Sequence, residues 1–328
     1  MKQAEERVLL RAKSGRRVGL GHLMRTRAVA EEVRARGGRA SLVLDDEESA
    51  ARLREQGFEA VSVHERPHWA HERAAGAWLD GEVDWTEELR ALARRGTPAL
   101  LVENRTPARE WCRELVYPTL HHVDDAWDRV HAARVLAGPA WIPISREVRA
   151  QPADGARDVD LLITFGSRDL PGSTERVLAC LPETGLALVV GIGPYMEERR
   201  PAIERAAAAR GARVLSASEP PAPWMARSRA ALTALGTTLY ELAHLGVPAL
   251  ILANQEEDRA ALEHYRRSGP HRPLGVSSAL SDADLARALA RELAELDGSP
   301  LPRVAGLGPG AELLAERLLA PAARILAA

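Results

Sequence analysis

A histidine follows two closely spaced glycines in Gly19-Leu20-Gly21-His22-Leu23-Met24-Arg25, where an apolar strand hands over to an amphipathic helix. Imidazole exchanges protons near neutral pH, and a helix start offers free backbone N–H groups and the positive end of the peptide dipole. Glycines at 19 and 21 let a ligand's phosphates approach the backbone closely. Arg25, one turn further along the same face, can meet a phosphate or a carboxylate. The chemistry this suggests is proton transfer beside a bound anion. Spacing alone leaves a second reading open, in which His22 caps a helix and Arg25 is solvated.

A second set of residues repeats the logic. In Gly236-Thr237-Thr238-Leu239-Tyr240-Glu241 a glycine and two hydroxyl residues open a helix after a strand, so N–H groups and hydroxyls converge where a phosphate can lie. Glu241, one turn on, can accept two hydrogen bonds from a ribose diol, or it simply favours the dipole while a threonine caps the helix. Asn254 and Gln255 end a later strand, and paired amides there can bind sugar hydroxyls or place a water. Phe165-Gly166-Ser167-Arg168-Asp169 ends another strand, with Gly166 and Ser167 as phosphate donors or as a plain turn. Gly246-Val247-Pro248 is punctuation between a helix and a strand.

These loops need strands and helices to carry them. Strands are expected at residues 7–12, 41–44, 60–63 and 98–102, with helices at 22–36, 47–56 and 84–95. After an apolar stretch at 134–136 and Gly138-Pro139, the polar segment 145–156 reads as a linker. A second series follows, with strands at 160–165, 186–190, 212–215, 230–232 and 249–252 and helices at 174–180, 202–210 and 238–245. Alternation of this kind predicts an α/β protein with mostly parallel, doubly wound sheets, and ligands then bind beyond the carboxyl ends of the strands. The expected organisation is an N-terminal Rossmann-like domain (1–148), a second Rossmann-like domain (157–310) and a C-terminal helix (311–328) able to pack on either, the two domains facing across a cleft.

Composition narrows the partners. The chain has 328 residues, 46% hydrophobic and 27% charged, which suits two globular domains. A net charge of -2 and the lack of a basic block with aromatics argue against nucleic acid, so a small-molecule partner is expected. Cys112 and Cys180 fall in different halves and suggest neither a disulfide nor a thiolate metal site, and no metal or cofactor is expected. The charged first residues and the lack of a long apolar run predict a cytoplasmic protein with no membrane span. Arginine replaces lysine almost throughout, so Lys13, just before the glycines, stands out.

In their order the motifs resemble the PseG/SpsG family, nucleotide-sugar hydrolases of the GT-B architecture related to the glycosyltransferase MurG. The family's Gly-x-Gly-His-x-x-Arg corresponds to Gly19, Gly21, His22 and Arg25, and its Gly-Pro before the linker to Gly138-Pro139. Its Phe-Gly-Gly-x-Asp corresponds to Phe165-Gly166-Ser167-Arg168-Asp169, and its Gly-Ser-Thr-x-x-Glu to Gly236, Thr237, Thr238 and Glu241. Its Gly-Val-Pro leading to Asn-Gln corresponds to residues 246–248 with Asn254-Gln255. The resemblance spans residues 8–269. It implies cleavage of the anomeric bond of a UDP-linked diacetamido trideoxy sugar, releasing UDP and free sugar on the way to a nonulosonic acid such as pseudaminic acid. It further implies proton transfer by His22 and placement of water or sugar by Asn254. Glu241 would hold the ribose, and the loops at Gly166 and Gly236 the diphosphate. Sugar contacts are expected from Gly19, Gly21, Arg25 and Gln255, and from the departing positions Arg11, Lys13, Asp80 and Glu82.

The departures lie mainly in the first half. Arg11-Ala12-Lys13 carries positive charge where the family has an Asp. Asp80-Gly81-Glu82 replaces an Asp-x-Tyr whose tyrosine is part of the active site, and Glu103-Asn104 replaces an Asp-Asp. In the second half Leu235 stands for a glycine. An altered acceptor side also suits a glycosyltransferase, and a nucleotide-sugar-binding protein without turnover is a third reading.

Overall fold

The computed structural model describes residues 6–112, 114–121, 134–152, 155–169, 171–183, 185–216, 219–268, 271–295, 299, 301 and 304–320. Two compact units emerge, residues 1–146 with 306–328, and residues 147–305.

The first unit begins with β1 (Arg7–Ala12), whose run Val8 to Ala12 is fully apolar apart from Arg11, and α1 (Gly21–Ala35) follows. Then come β2 (Arg39–Leu44), α2 (Glu47–Glu55), β3 (Glu59–Ser62), β4 (Gly76–Asp80), α3 (Thr86–Arg94), β5 (Ala99–Val102), β6 (Glu114–Tyr117) and β7 (Arg134–Ala137). The strands form one parallel sheet in the order β3-β2-β1-β4-β5-β6-β7. Side chains alternate across a strand, and both faces here are covered. Leu10, Leu42, Trp78 and Leu100 pack with Val29 and Val33 of α1, whereas Leu9, Val43, Leu79 and Leu101 pack with Leu89 and Leu92 of α3.

The second unit contains α4 (Arg146–Arg149) at its border, then β8 (Val159–Thr164), α5 (Ser173–Cys180), β9 (Leu188–Gly191), α6 (Arg200–Ala208), β10 (Arg213–Val214) and α7 (Pro221–Ala226). It continues with β11 (Ser228–Thr233), α8 (Thr237–His244), β12 (Ala249–Ala253), α9 (Arg259–Ser268), β13 (Arg272–Val276) and α10 (Asp282–Glu295). Its sheet is also parallel, in the order β10-β9-β8-β11-β12-β13. In both sheets the order reverses beside the first strand, so the loops after β1 and β4, and after β8 and β11, flank the switch points where doubly wound sheets bind ligands. The α/β, doubly wound architecture is the one the alternating pattern leads one to expect.

β4, β6 and β13 are strands that the sequence pattern missed. β4 is five residues long and buried throughout, so it shows no period-two alternation. β6 has four residues and starts on a charge, Glu114, which is buried because Arg317 pairs with it. β13 contains Pro273 and Gly275, which read as breakers. It is an edge strand, where a missing N–H is tolerated, and the register of its pairing with β12 shifts between Ile251 and Leu252.

α11 (Gly310–Leu319) belongs to the first unit, while residues 321–328 of the expected C-terminal helix lie outside the described residues. Leu314, Ala315 and Leu318 enter the same core as Leu10 and Val33, and each leucine contributes about 1.5–3 kcal/mol by burial. The helix seats on glycine: a Cβ at Gly76 of β4 would lie 2.4 Å from the Leu318 carbonyl oxygen and 3.1 Å from Leu318 Cα. Backbone cannot swing aside as a long side chain can, so G76A should destabilise the protein by about 1–3 kcal/mol, read as a lower urea midpoint.

Burial also fixes a histidine in the second unit. His271 is 2% exposed, and its Nδ1 accepts the Ala249 N–H at 3.2 Å. Burial pushes its pKa down to about 4. The folded protein therefore binds fewer protons here than the unfolded chain. The stabilisation is complete above about pH 6.5 and declines as pH falls towards 4, by up to about 3 kcal/mol. Urea midpoints measured between pH 7 and 4 should show this slope, and H271Q should flatten it.

Candidate active site

The loop after β1 turns on Gly15, whose carbonyl accepts the N–H groups of Val18 and Gly19, and Gly19 takes φ +89°. The chain then enters α1 with Leu20 as cap residue, no side-chain cap and no acidic residue in the first turn. The first N–H groups of α1 are thus not satisfied by a side chain of the cap residue. His22 stands at this helix start with 27% of its side chain exposed.

β4 runs next to β1, with Ala12 level with Asp80, and this register puts the Asp80 carboxylate under the first turn of α1. Asp80 is fully buried. Its Oδ1 lies 2.7 Å from His22 Nδ1, while Arg25 donates from Nε to Oδ2 and from Nη2 to Oδ1, both at 2.6 Å. Thr26 Oγ1 donates to Oδ2 at 3.3 Å and itself accepts the indole N–H of Trp78 at 2.9 Å. Burial alone would raise the Asp80 pKa, but the Arg25 charge, helped by His22 and their hydrogen bonds, brings it down to about 2. The same carboxylate and Glu103 outweigh burial at Arg25 and hold its guanidinium charged.

An ionised Asp80 can only accept, so the proton between it and His22 belongs to Nδ1. Nδ1–H donating inward leaves Nε2 as the ring nitrogen with a lone pair, the arrangement of an oriented general base. Arg25 Nη2 also lies 3.0 Å from His22 Nδ1, a contact between two donors and not a hydrogen bond.

Two residues that the sequence pattern treats only as departures complete this cluster. Glu103, just past β5, pairs with Arg25 Nη1 at 2.6 Å, although its backbone sits at φ +42°. Asn104 is fully buried; its amide donates to the carbonyls of Gly81 and Val83, both at 2.8 Å, and its Oδ1 accepts from Thr106 N and Oγ1. An aspartate at 104 would set its carboxylate against those two carbonyls. The only forewarning in the sequence is a polar pair directly after an apolar strand, a pattern shared by many turns.

Several of the other expected sugar contacts are bonded to protein groups. Arg25, 6% exposed, engages carboxylates through all three nitrogens, and Asp80 is wholly enclosed, so the hydrogen bonds shown for both go to protein groups beside His22. Arg11 is buried, with its guanidinium on Asp45 and on the carbonyls of Ala12 and Val43. Lys13 pairs with the same Asp45 at 2.9 Å, and its side chain crosses Gly81 so closely that a Cβ there would meet Lys13 Cγ at 2.3 Å. Asp45 thereby offsets one of the two positive charges of Arg11 and Lys13. Gly21 and Glu82 are exposed, and Gly19 is buried in the turn.

In the second unit β8 and β11 are adjacent and parallel, so the Gly166 and Gly236 loops lie side by side. They differ in how the following helix is capped. Asp169, at φ +38°, accepts the N–H groups of Ser173 and Thr174, both at 2.8 Å, and the Thr174 hydroxyl at 2.7 Å, so the start of α5 is already satisfied by protein. Exposed Gly166 and half-buried Ser167 remain at the strand end, with Gly193 packed against them. α8 instead follows exposed Gly236 with no side-chain cap; Thr237, Thr238 and Glu241 are half-buried. Threonine capping, one of the two readings of this motif, is thus not what the helix start shows. Asn254 is half-buried and ends the loop side of β12, next to β11 in the sheet. Gln255 is exposed, and its N–H is bonded to Asp258 Oδ2 at 3.3 Å, which fits a turn residue.

No protein-family model and no curated protein matches the sequence. Solved structures match in fold. MurG from Acinetobacter baumannii is 14% identical with a TM-score of 0.62, covering 96% of this chain and 99% of its own. Spinosyn rhamnosyltransferase SpnG complexed with thymidine diphosphate is 15% identical with a TM-score of 0.57, covering 98% and 99%. UDP-GlcNAc 2-epimerase from Neisseria meningitidis bound to UDP-GlcNAc is 14% identical with a TM-score of 0.56, covering 95% and 99%. The two sheets and these matches together define the chain as a GT-B protein of two Rossmann-like domains. Among the described residues no helix is long and apolar enough to cross a membrane, and no cluster of His, Cys, Asp and Glu is placed to hold a metal.

Removing Asp80 would leave Arg25 buried beside a cavity and His22 without its orienting acceptor. D80A should cost about 3–5 kcal/mol, the range for breaking a buried ion pair from one side, measured by urea unfolding.

Proposed function

We propose that this protein is a nucleotide-sugar hydrolase that cleaves the anomeric bond of a UDP-linked sugar, of the diacetamido trideoxy type suggested by the resemblance to PseG/SpsG. Release of UDP and free sugar would then serve nonulosonic acid or surface polysaccharide synthesis. The observation that carries this reading is the His22–Asp80 pair, with Nδ1 bonded to a buried carboxylate and Nε2 left to act.

In the proposed reaction a water attacks the anomeric carbon while the bond to the diphosphate oxygen breaks. His22 Nε2 takes the water's proton, and Asp80 stabilises the imidazolium that forms. UDP leaves as an anion. The uncapped start of α8, with Thr237 and Thr238, supplies donors for that charge, and Gly166 and Ser167 add to it. Glu241 binds the ribose diol and Asn254 places the water or the sugar. The two carboxylates paired with Arg25 support a part for it in holding Asp80.

A glycosyltransferase is the second reading, because the same base can deprotonate an acceptor hydroxyl, and one structural neighbour is a rhamnosyltransferase with thymidine diphosphate bound. UDP release from UDP-sugars without any acceptor supports hydrolysis, release only on adding an acceptor supports transfer, and UDP binding without turnover supports an inactive nucleotide-sugar-binding protein. H22A should lower turnover by about 100-fold or more, the usual scale of general-base catalysis, while leaving UDP affinity by calorimetry nearly unchanged. Turnover within a few-fold of wild type would remove His22 from the chemistry.

A further inference from the structure

We propose that Glu103 is a positioning residue for the His22–Asp80 pair: by holding Arg25 Nη1 it balances the Arg25 charge and leaves Asp80 available to the imidazole. The role rests on the reading of His22 as the proton-transfer group. Three observations lead to it. Arg25 is 6% exposed and faces two carboxylates, Asp80 through Nε and Nη2 and Glu103 through Nη1, each at 2.6 Å. Glu103 reaches it from a backbone at φ +42°, a left-handed conformation that glutamate rarely adopts. The surroundings hold that conformation in place: the Glu103 N–H bonds the Val116 carbonyl at 3.0 Å, and buried Asn104 ties the next residues to the loop after β4.

Charge explains what is gained. With Arg25 paired only to Asp80, the two charges would cancel, and Asp80 would offer a weaker acceptor to His22. The second carboxylate leaves the group of Arg25, Asp80 and Glu103 with one net negative charge, which an imidazolium at His22 neutralises. Glu103 touches Arg25 and acts through it. A glutamate with only a structural part would contribute to folding but would not alter the His22 hydrogen bond.

The test is proton NMR of the folded, full-length protein, following the low-field Nδ1–H resonance of a carboxylate-bonded imidazole, assigned by its loss in H22Q. In E103Q this resonance should move upfield and exchange with solvent about tenfold faster, the scale expected when a charge-assisted hydrogen bond weakens. E103D keeps the charge, and aspartate tolerates a left-handed backbone well, so it should retain a resonance close to wild type. If E103Q does not fold, E103S serves as the uncharged variant with the same expectation. A resonance unchanged in the uncharged variant, or equally changed in E103D, overturns the proposal. In the UDP-release assay E103Q should lower kcat about tenfold with KM little changed, a loss confined to the transition state. Absence of UDP release by the wild type would sink the hydrolase reading alone, since the NMR result stands without turnover.

Discussion

A single buried carboxylate organises the first unit's loop face. Asp80 has no contact with water, and an isolated charge in that position would be driven to its neutral form. Arg25 prevents this, and the two together give His22 an acceptor that is ionised at neutral pH and fixed in direction. The pair requires β4 beside β1 in this register, α1 starting directly above, and Trp78 and Thr26 closing off the back. A slip by one residue in β4 would turn the carboxylate to the opposite face of the sheet.

The helix starts show a division of labour. α5 is capped by Asp169, which uses both carboxylate oxygens on the N–H groups and hydroxyl that follow. α1 and α8 have no side-chain cap, and each follows a strand beside its sheet's switch point. A helix start without a side-chain cap is less stabilised than a capped one, so α5 gains from its Asp169 cap what α1 and α8 do not gain from Leu20 and Gly236.

Stability and geometry in the first unit also depend on chain that arrives last. α11 inserts Leu314 and Leu318 into the core beneath α1, and Arg317 neutralises buried Glu114 on β6. The helix therefore braces the layer from which His22 and Arg25 project. Backbone at glycine makes the fit possible, since Gly76 admits the last turn of α11 where any side chain would collide with the Leu318 backbone.

The sequence by itself determined the α/β alternation, most of its strands, and the location of His22 and Gly236 at strand-to-helix turns. These follow from local periodicity and from glycine, which act over a few residues. β4 and β6 were illegible because strands buried on both faces lack alternation, and β13 because proline and glycine are tolerated at an edge. Tertiary structure decided which residues meet. Arg25 and Asp80 are 55 positions apart, so no spacing reveals that they bond each other and not a phosphate. Glu103 and Asn104 read as departures from a motif, and only the parallel placement of β4 beside β5 shows one gripping Arg25 and the other tying the loops. Electrostatic partners are chosen by burial and distance in space, and neither is encoded in the order of residues along a single element.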